Sequence, residues 1–213
     1  GDLYELIAVY SQQFPKDMGQ YRSRTLSVLS SWHEQYFRKL APEVIEGLRS
    51  EAQTRAAELA HQTELSVFIE KTTNGLTFLP KEGLEKLVLV PHYHFQPMNI
   101  IYHFGRITLC HYSARFYLGD ETDFPPHDYR MLRALAEQSR LKILRFLSGG
   151  PRTFTEIVRH LQISKGITHD HVSKLRSGGF IRAHVDGETI SEYSLRPEML
   201  DVMHQKLVDY IVN

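Results

Sequence analysis

One stretch of this chain, residues 135–195, leaves little freedom in what it can become. Leu135, Ile143, Leu144 and Leu147 recur at helical spacing and stop at Gly149-Gly150-Pro151. A short helix is expected from Thr155 to Leu161, and a second from Ser164 to Arg176. Gly178-Gly179 then halts the chain, because glycine tolerates the positive φ of a helix end. Residues 180–185 and 189–195 alternate around Asp186-Gly187, the pattern of a two-stranded hairpin. Few folds accommodate helix, turn, helix, turn and hairpin within about sixty residues.

That order is the plan of a winged helix-turn-helix, which presents one short helix to the major groove of DNA. Ser164 is a good N-cap for that helix. Thr168, His171, Val172 and Leu175 are spaced to face the core, which leaves Lys165, Gly166, His169, Asp170 and Ser173 on the opposite face. Lys165, His169 and Ser173 can donate to base acceptors or phosphates; Asp170 accepts from a cytosine amino group or repels a phosphate. Arg140, Lys174, Arg182 and His184 are expected to meet phosphates, and Glu188 near the wing tip argues against deep insertion of the hairpin.

Charge supports this placement. Of 25 Lys+Arg and 25 Asp+Glu, residues 128–196 hold 12 basic against 7 acidic, a net of +5, and residues 1–127 hold 12 against 15, a net of −3. A locally positive surface is what phosphate contact needs. A solvated basic face is the plainer explanation, and the overall neutrality keeps a protein-interaction module open as the alternative function.

Upstream, Leu3, Leu6, Ile7 and Tyr10 suggest a helix ending near Pro15. A second helix is expected from Tyr21 to Leu40, and a third from Pro42 through residues 43–63. Residues 65–69 read as a β-type run followed by an Asn74-Gly75 turn. Residues 87–91 read as a strand ending at Pro91, and residues 99–104 and 107–112 as a hairpin about Gly105-Arg106. The expected organisation is therefore α+β: an N-terminal helical/β domain at 1–118 that senses or dimerises, a linker at 119–126, and a winged helix-turn-helix domain with a closing helix at 127–213. The last helix carries apolar residues on two sides, enough to pack on its own domain and on a second copy.

At this point the chain resembles the ArsR-type winged-helix repressors. Their first core helix characteristically reads Leu-Ala-Asp-Pro-Thr-Arg-Leu-Arg-Ile-Leu, and residues 135–144 read Leu-Ala-Glu-Gln-Ser-Arg-Leu-Lys-Ile-Leu. Their recognition helix carries Ser-Arg-His-Leu-Lys-Val-Leu-Arg before Gly-Leu-Val. Here residues 169–176 read His-Asp-His-Val-Ser-Lys-Leu-Arg, with Gly179-Phe180-Ile181 after them. Asp170 stands where a basic residue is common, and Gly166 where proline is frequent. Residues 87–91 and 107–114 are similar to the N-terminal part of a two-domain ArsR-like subfamily. The resemblance implies a cytoplasmic, homodimeric, sequence-specific regulator of double-stranded DNA, a repressor rather than an enzyme.

Catalytic signatures are missing from the sequence. No phosphate loop, nucleophile elbow, HExxH or dinucleotide fingerprint occurs, and Ser11, Ser30 and Ser31 have no base partner in sequence. No cofactor is expected. The lone Cys110 fits a reducing compartment, and the cysteine positions of metal-sensing relatives hold Glu137-Gln138-Ser139 and Ile167-Thr168. Asp201, His204 and Asp209 are a weak ligand signal on the last helix. His92, His94, His103 and His111 lie among aromatic residues including Tyr102, so a small-molecule effector pocket is one expectation there. A histidine metal gate is another, and an ordinary aromatic core the plainest. No run of 18 apolar residues and no signal peptide is seen, so no membrane partner is expected.

Overall fold

The structure, a computed structural model, describes residues 17–80, 83–120, 122–187 and 189–212. The expected helix at Leu3–Tyr10 and the wing-tip residue Glu188 lie outside them. Two compact units are present, Gly1–Ile45 and Glu46–Asn213. The expected linker at 119–126 falls inside the second unit rather than between the two.

In the first unit, α1 spans Met18–Gln35. Asp17 caps it by accepting from the Gln20 amide at 3.1 Å, and a 3-10 turn follows at Phe37–Lys39. Its apolar residues Leu26, Leu29 and Trp32 are exposed. Helix α2, Pro42–Ala60, starts on the proline as expected and runs into the second unit.

The run at 65–69 is not a strand. It forms α3, Leu65–Thr72. Short apolar runs do not distinguish strand from helix by periodicity, and here Phe68 and Thr72, one helical turn apart, are the buried pair. Asn74-Gly75 ends this helix instead of joining two strands. Asn74 has φ 58° and Gly75 φ 101°, and the Gly75 amide reaches back to the Glu70 carbonyl at 2.7 Å, a helix-terminating bond. A Cβ on Gly75 would also stand 2.9 Å from the Ile181 carbonyl, so strand β1, Leu76–Phe78, can approach only because this residue is glycine.

Two three-stranded sheets follow. Strands β2 (Lys86–His92), β3 (Ile100–Phe104) and β4 (Ile107–Ser113) have the order β2-β4-β3, with β2 parallel and β3 antiparallel to β4. The β3–β4 hairpin about Gly105-Arg106 is the expected one. Strand β2 continues one residue past Pro91; as an edge strand it tolerates the missing N–H.

The winged helix occupies α4 (Pro126–Leu135), α5 (Gln138–Leu147), α6 (Phe154–Leu161), α7 (Lys165–Ser177), β5 (Ile181–Asp186), β6 (Thr189–Leu195) and α8 (Glu198–Val212). Its boundaries follow chemistry. Glu137 caps α5, Thr153 and Glu156 form a reciprocal capping box on α6, and Ser164 caps α7 by accepting from the Ile167 amide at 3.3 Å. The wing has a third strand that the sequence did not announce: β1 pairs in parallel with β5, placing Leu76 opposite Ala183 and Thr77 opposite His184. One core therefore joins Met131, Ile143, Ile157, Leu175, Phe180 and Met203 to Leu76 and Cys110 from the segment before 119. Each fully buried large side chain among these contributes about 1.5–3 kcal/mol.

Candidate nucleic-acid interface

Helices α6 and α7 meet through Gln162, whose left-handed φ of 55° turns the chain between them. Thr168, His171, Val172 and Leu175 are buried, as their spacing predicts. Ser164, Lys165, Gly166, His169, Asp170, Ser173 and Lys174 are all exposed on the other side of α7. Lys165, His169 and Ser173 stand four residues apart and form a single stripe along the helix. Gly166 has open space where a side chain would begin, so another backbone can approach closely there. Behind the helix the His171 ring lies 3.6 Å from Glu137, whose carboxylate also caps α5 by accepting from the Arg140 amide at 2.9 Å.

Asp170 pairs with Lys174 at 2.6 Å, and that lysine's hydrogen bond holds the Asp170 carboxyl below its usual range. The pair neutralises itself, so Lys174 offers less charge to a phosphate than the sequence suggested. Ile167, 53% exposed, supplies an apolar group beside Lys165 and Gly166 that the sequence reading passed over. Such a group suits a thymine methyl.

Three expected phosphate contacts are engaged inside the protein. Arg140 is 7% exposed and donates to the Ala134 and Arg133 carbonyls at 2.7 and 2.8 Å, capping the open end of α4. Arg182 donates to the Leu195 carbonyl and pairs with Glu198 and Glu70 at 2.7, 2.5 and 3.4 Å. His184 bonds Thr77 Oγ1 through Nδ1 and Ser194 Oγ through Nε2, at 2.7 and 2.8 Å, and burial lowers its pKa. The end of α4 takes up Arg140, Glu70, Glu198 and the Leu195 carbonyl take up Arg182, and Thr77 of the third strand with Ser194 takes up His184.

Other arginines lie near the exposed face of α7. Arg130 and Arg133 of α4 line a recess of about 240 Å³ with Lys174 and Ser177 of α7, and Arg140 forms part of its wall. The only sequence signal for it was the basic excess of 128–196; the i, i+3 spacing of Arg130 and Arg133 becomes informative once α4 is known to pack against α7.

The aromatic-histidine cluster divides between the two faces of a sheet. His92, His111 and Tyr102 share one face of the β2-β4-β3 sheet by register, whereas His103 stands on the other. His92 Nε2 is taken by the Met98 carbonyl at 2.7 Å and its pKa is lowered by burial; His103 Nδ1 is taken by Thr108 at 2.9 Å. His94 is exposed, beyond the strand. Among the described residues, no group of three or more His, Cys, Asp or Glu is placed to hold a metal ion. Cys110 is fully buried, and burial pushes its thiol up to about 12.

Residues 130–183 match the family described as "Bacterial regulatory protein, arsR family". Residues 130–183 thus form an ArsR-family helix-turn-helix domain. A Streptomyces lividans protein named "Probable mercury resistance operon repressor" is 35% identical over 79 residues, 37% of this chain and 63% of that relative. The chain therefore spans less than two thirds of the length of the curated relative it matches. Among solved structures, a homodimeric winged helix-turn-helix DNA-binding domain from Mycobacterium bovis is 24% identical. It covers 41% of this chain and 82% of its own, with a TM-score of 0.32. NolR from Sinorhizobium fredii is 23% identical and covers 40% and 84%, with a TM-score of 0.32.

Proposed function

We propose that the chain is a sequence-specific regulator, a repressor, that binds double-stranded DNA as a homodimer and is not an enzyme. The observation that carries this is the α7 face: Lys165, Gly166, Ile167, His169 and Ser173 exposed together on a capped helix inside an ArsR-family domain. At about 1.5 Å per residue, the 13 residues of α7 make a rod about 20 Å long, suited to a major groove. Arg130, Arg133 and Lys174 would meet the backbone on one flank. Pairing through α8, where Leu200, Val202, Ile211 and Val212 are exposed, would present two such helices to successive grooves. The 1–118 region would carry sensing or dimerisation, and a cytoplasmic location accords with this role.

The metal named for the Streptomyces relative is not carried over. A thiophilic ion calls for accessible thiolates, and Cys110 is single, buried and protonated.

The test is fluorescence-anisotropy titration of labelled duplex at several salt concentrations. Binding should fall linearly on a log–log plot with a slope of about −0.9 per phosphate contact, and Lys165→Ala should weaken binding and reduce the slope by about one contact. Salt-insensitive binding, or a Lys165→Ala variant with unchanged slope and affinity, would refute the assignment and favour a protein partner.

A further inference from the structure

The second unit contains an apolar cleft of about 370 Å³ that the histidine cluster does not enter. Its walls are Ala52, Ala56 and Leu59 of α2, Phe68 and Ile69 of α3, and Leu89 of β2. The two alanines, one helical turn apart, leave the room: larger residues there would close it. Two lining residues carry charge, Arg55 and Lys86. Arg55 is paired with two carboxylates, Glu51 at 2.8 Å and Glu58 at 2.5 Å, and Lys86 is exposed. Tyr112 is also in the wall.

We propose that this cleft binds a neutral, largely apolar small molecule of two or three rings, and that occupancy acts on the recognition helix through α3; the second part rests on the DNA-binding role proposed above. A dry apolar cavity of about 150 Å³ holds a benzene ring, so this cleft has room for two or three. Charge favours a neutral molecule, because Glu51 and Glu58 already match the Arg55 guanidinium and an unpaired buried charge is costly.

The connection to α7 is direct. Helix α3 lines the cleft at Leu65, Phe68 and Ile69, and its next residues are bound to the winged helix. Glu70 pairs with Arg196 at 2.5 Å and with Arg182 at 3.4 Å. Arg176, at the end of α7, donates to the Asn74 carbonyl at 2.6 Å and the Thr73 carbonyl at 3.0 Å, and Asn74 donates to the Ser177 carbonyl at 3.3 Å. A molecule that wedges α2 from α3 therefore pulls on the carboxyl end of the recognition helix. It changes DNA affinity only to the extent that it binds the DNA-competent and incompetent arrangements differently.

The test uses the full chain and N-phenyl-1-naphthylamine, a neutral apolar fluorophore. Expected is saturable, blue-shifted emission at one probe per chain, weakened at least tenfold in Ala56→Trp and in Leu59→Trp. Both sites are exposed, so the fold survives filling, which circular dichroism confirms. Equal uptake by the wild type and both variants would overturn the site. Uptake that vanishes as protein concentration rises would mean a second copy fills the cleft, and would overturn the small-molecule assignment. Saturating probe should shift duplex affinity at least threefold in the wild type and not in Ala56→Trp; DNA binding indifferent to bound probe would overturn the transmission. Failure to bind DNA under any condition would strike down the DNA-binding role and the transmission with it, while the fluorescence result still decides the site.

Discussion

Replacing Arg176 by methionine removes a guanidinium while keeping most of its volume, and it should cost about 3 kcal/mol. The guanidinium makes two charge-assisted bonds to the Asn74 and Thr73 carbonyls, together worth roughly 4–5 kcal/mol. Against them stands enclosure: burial first, then the like charge of Arg196, push Arg176 down to about 10 from 12.5, a penalty of about 3 kcal/mol at 1.36 per pH unit. The surviving net of about 1–2 kcal/mol is lost in the variant, and the Asn74 carbonyl, left without this donor in a closed place, adds about 2. The Thr73 carbonyl keeps Asn99, which donates at 2.6 Å. Urea unfolding monitored by circular dichroism measures the total, and Arg176→Lys should recover less than half, because one ammonium does not span two carbonyls as a planar fork does. Hydrogen exchange locates it: the Ala183 amide, bonded to the Gly75 carbonyl at 2.8 Å, should lose protection while amides of α6 keep theirs. A stability change under about 0.5 kcal/mol, or uniform loss of protection, would show that Arg176 does not fasten β1 to the winged helix.

Four further outcomes are expected. Asp170→Asn releases Lys174 from its 2.6 Å partner; affinity for random duplex should rise several-fold and the salt slope steepen by about 0.9, with stability within about 0.5 kcal/mol of the parent because the pair is exposed. Gly166→Ala enters open space on α7 and should raise the unfolding free energy by about 0.5–1 kcal/mol, yet weaken duplex binding; undiminished affinity would count against this face entering a groove. His127 is held neutral, its pKa lowered to about 4 by burial and then by Arg115. Its folded value lies below the unfolded 6.5, so stability is full above pH 6.5 and declines as pH falls through 4, by up to about 3 kcal/mol. His127→Asn should flatten that window in acid unfolding curves. Ile211→Asp with Val212→Asp places charge on two residues exposed by 74% and 73%, and sedimentation should find a dimer replaced by monomer if α8 is the pairing surface.

The sequence was most legible where structure is local. Ser164, Gly178-Gly179 and Asp186-Gly187 each act on their own neighbours, and each punctuates the chain where it was expected to. The face of α7 was legible for the same reason, since Thr168, His171, Val172 and Leu175 repeat at helical spacing. What was hidden is non-local. Leu76–Phe78 is three residues long and carries no strand signature of its own; it becomes a strand because β5 offers a free edge more than a hundred residues away. Helix α3 differs from the expected strand because the four apolar residues of 65–69 satisfy either period, and the deciding Phe68–Thr72 pair lies partly outside that run.

The arginines show how the hidden pairing changes the reading of function. Between residues 140 and 182 there are nine basic residues against two acidic ones, which by charge alone points to a phosphate-binding surface. Arg140, Arg176 and Arg182 spend their guanidinium groups on carbonyls and carboxylates of the same chain, and Arg152 lies over the Phe146 ring at 4.9 Å. Lysines and arginines at 142, 145, 159, 165 and 174 remain exposed. Arginine suits the internal work because its fork matches pairs of carbonyls, as at α4 and at the end of α3. Charge counted along a sequence measures how much cation a segment holds; the topology decides how much of it faces water. Here Glu70 and Glu198 take up Arg182, Thr77 of the non-local strand β1 takes up His184, and the candidate interface contracts to α7 with Arg130 and Arg133 of α4 beside it.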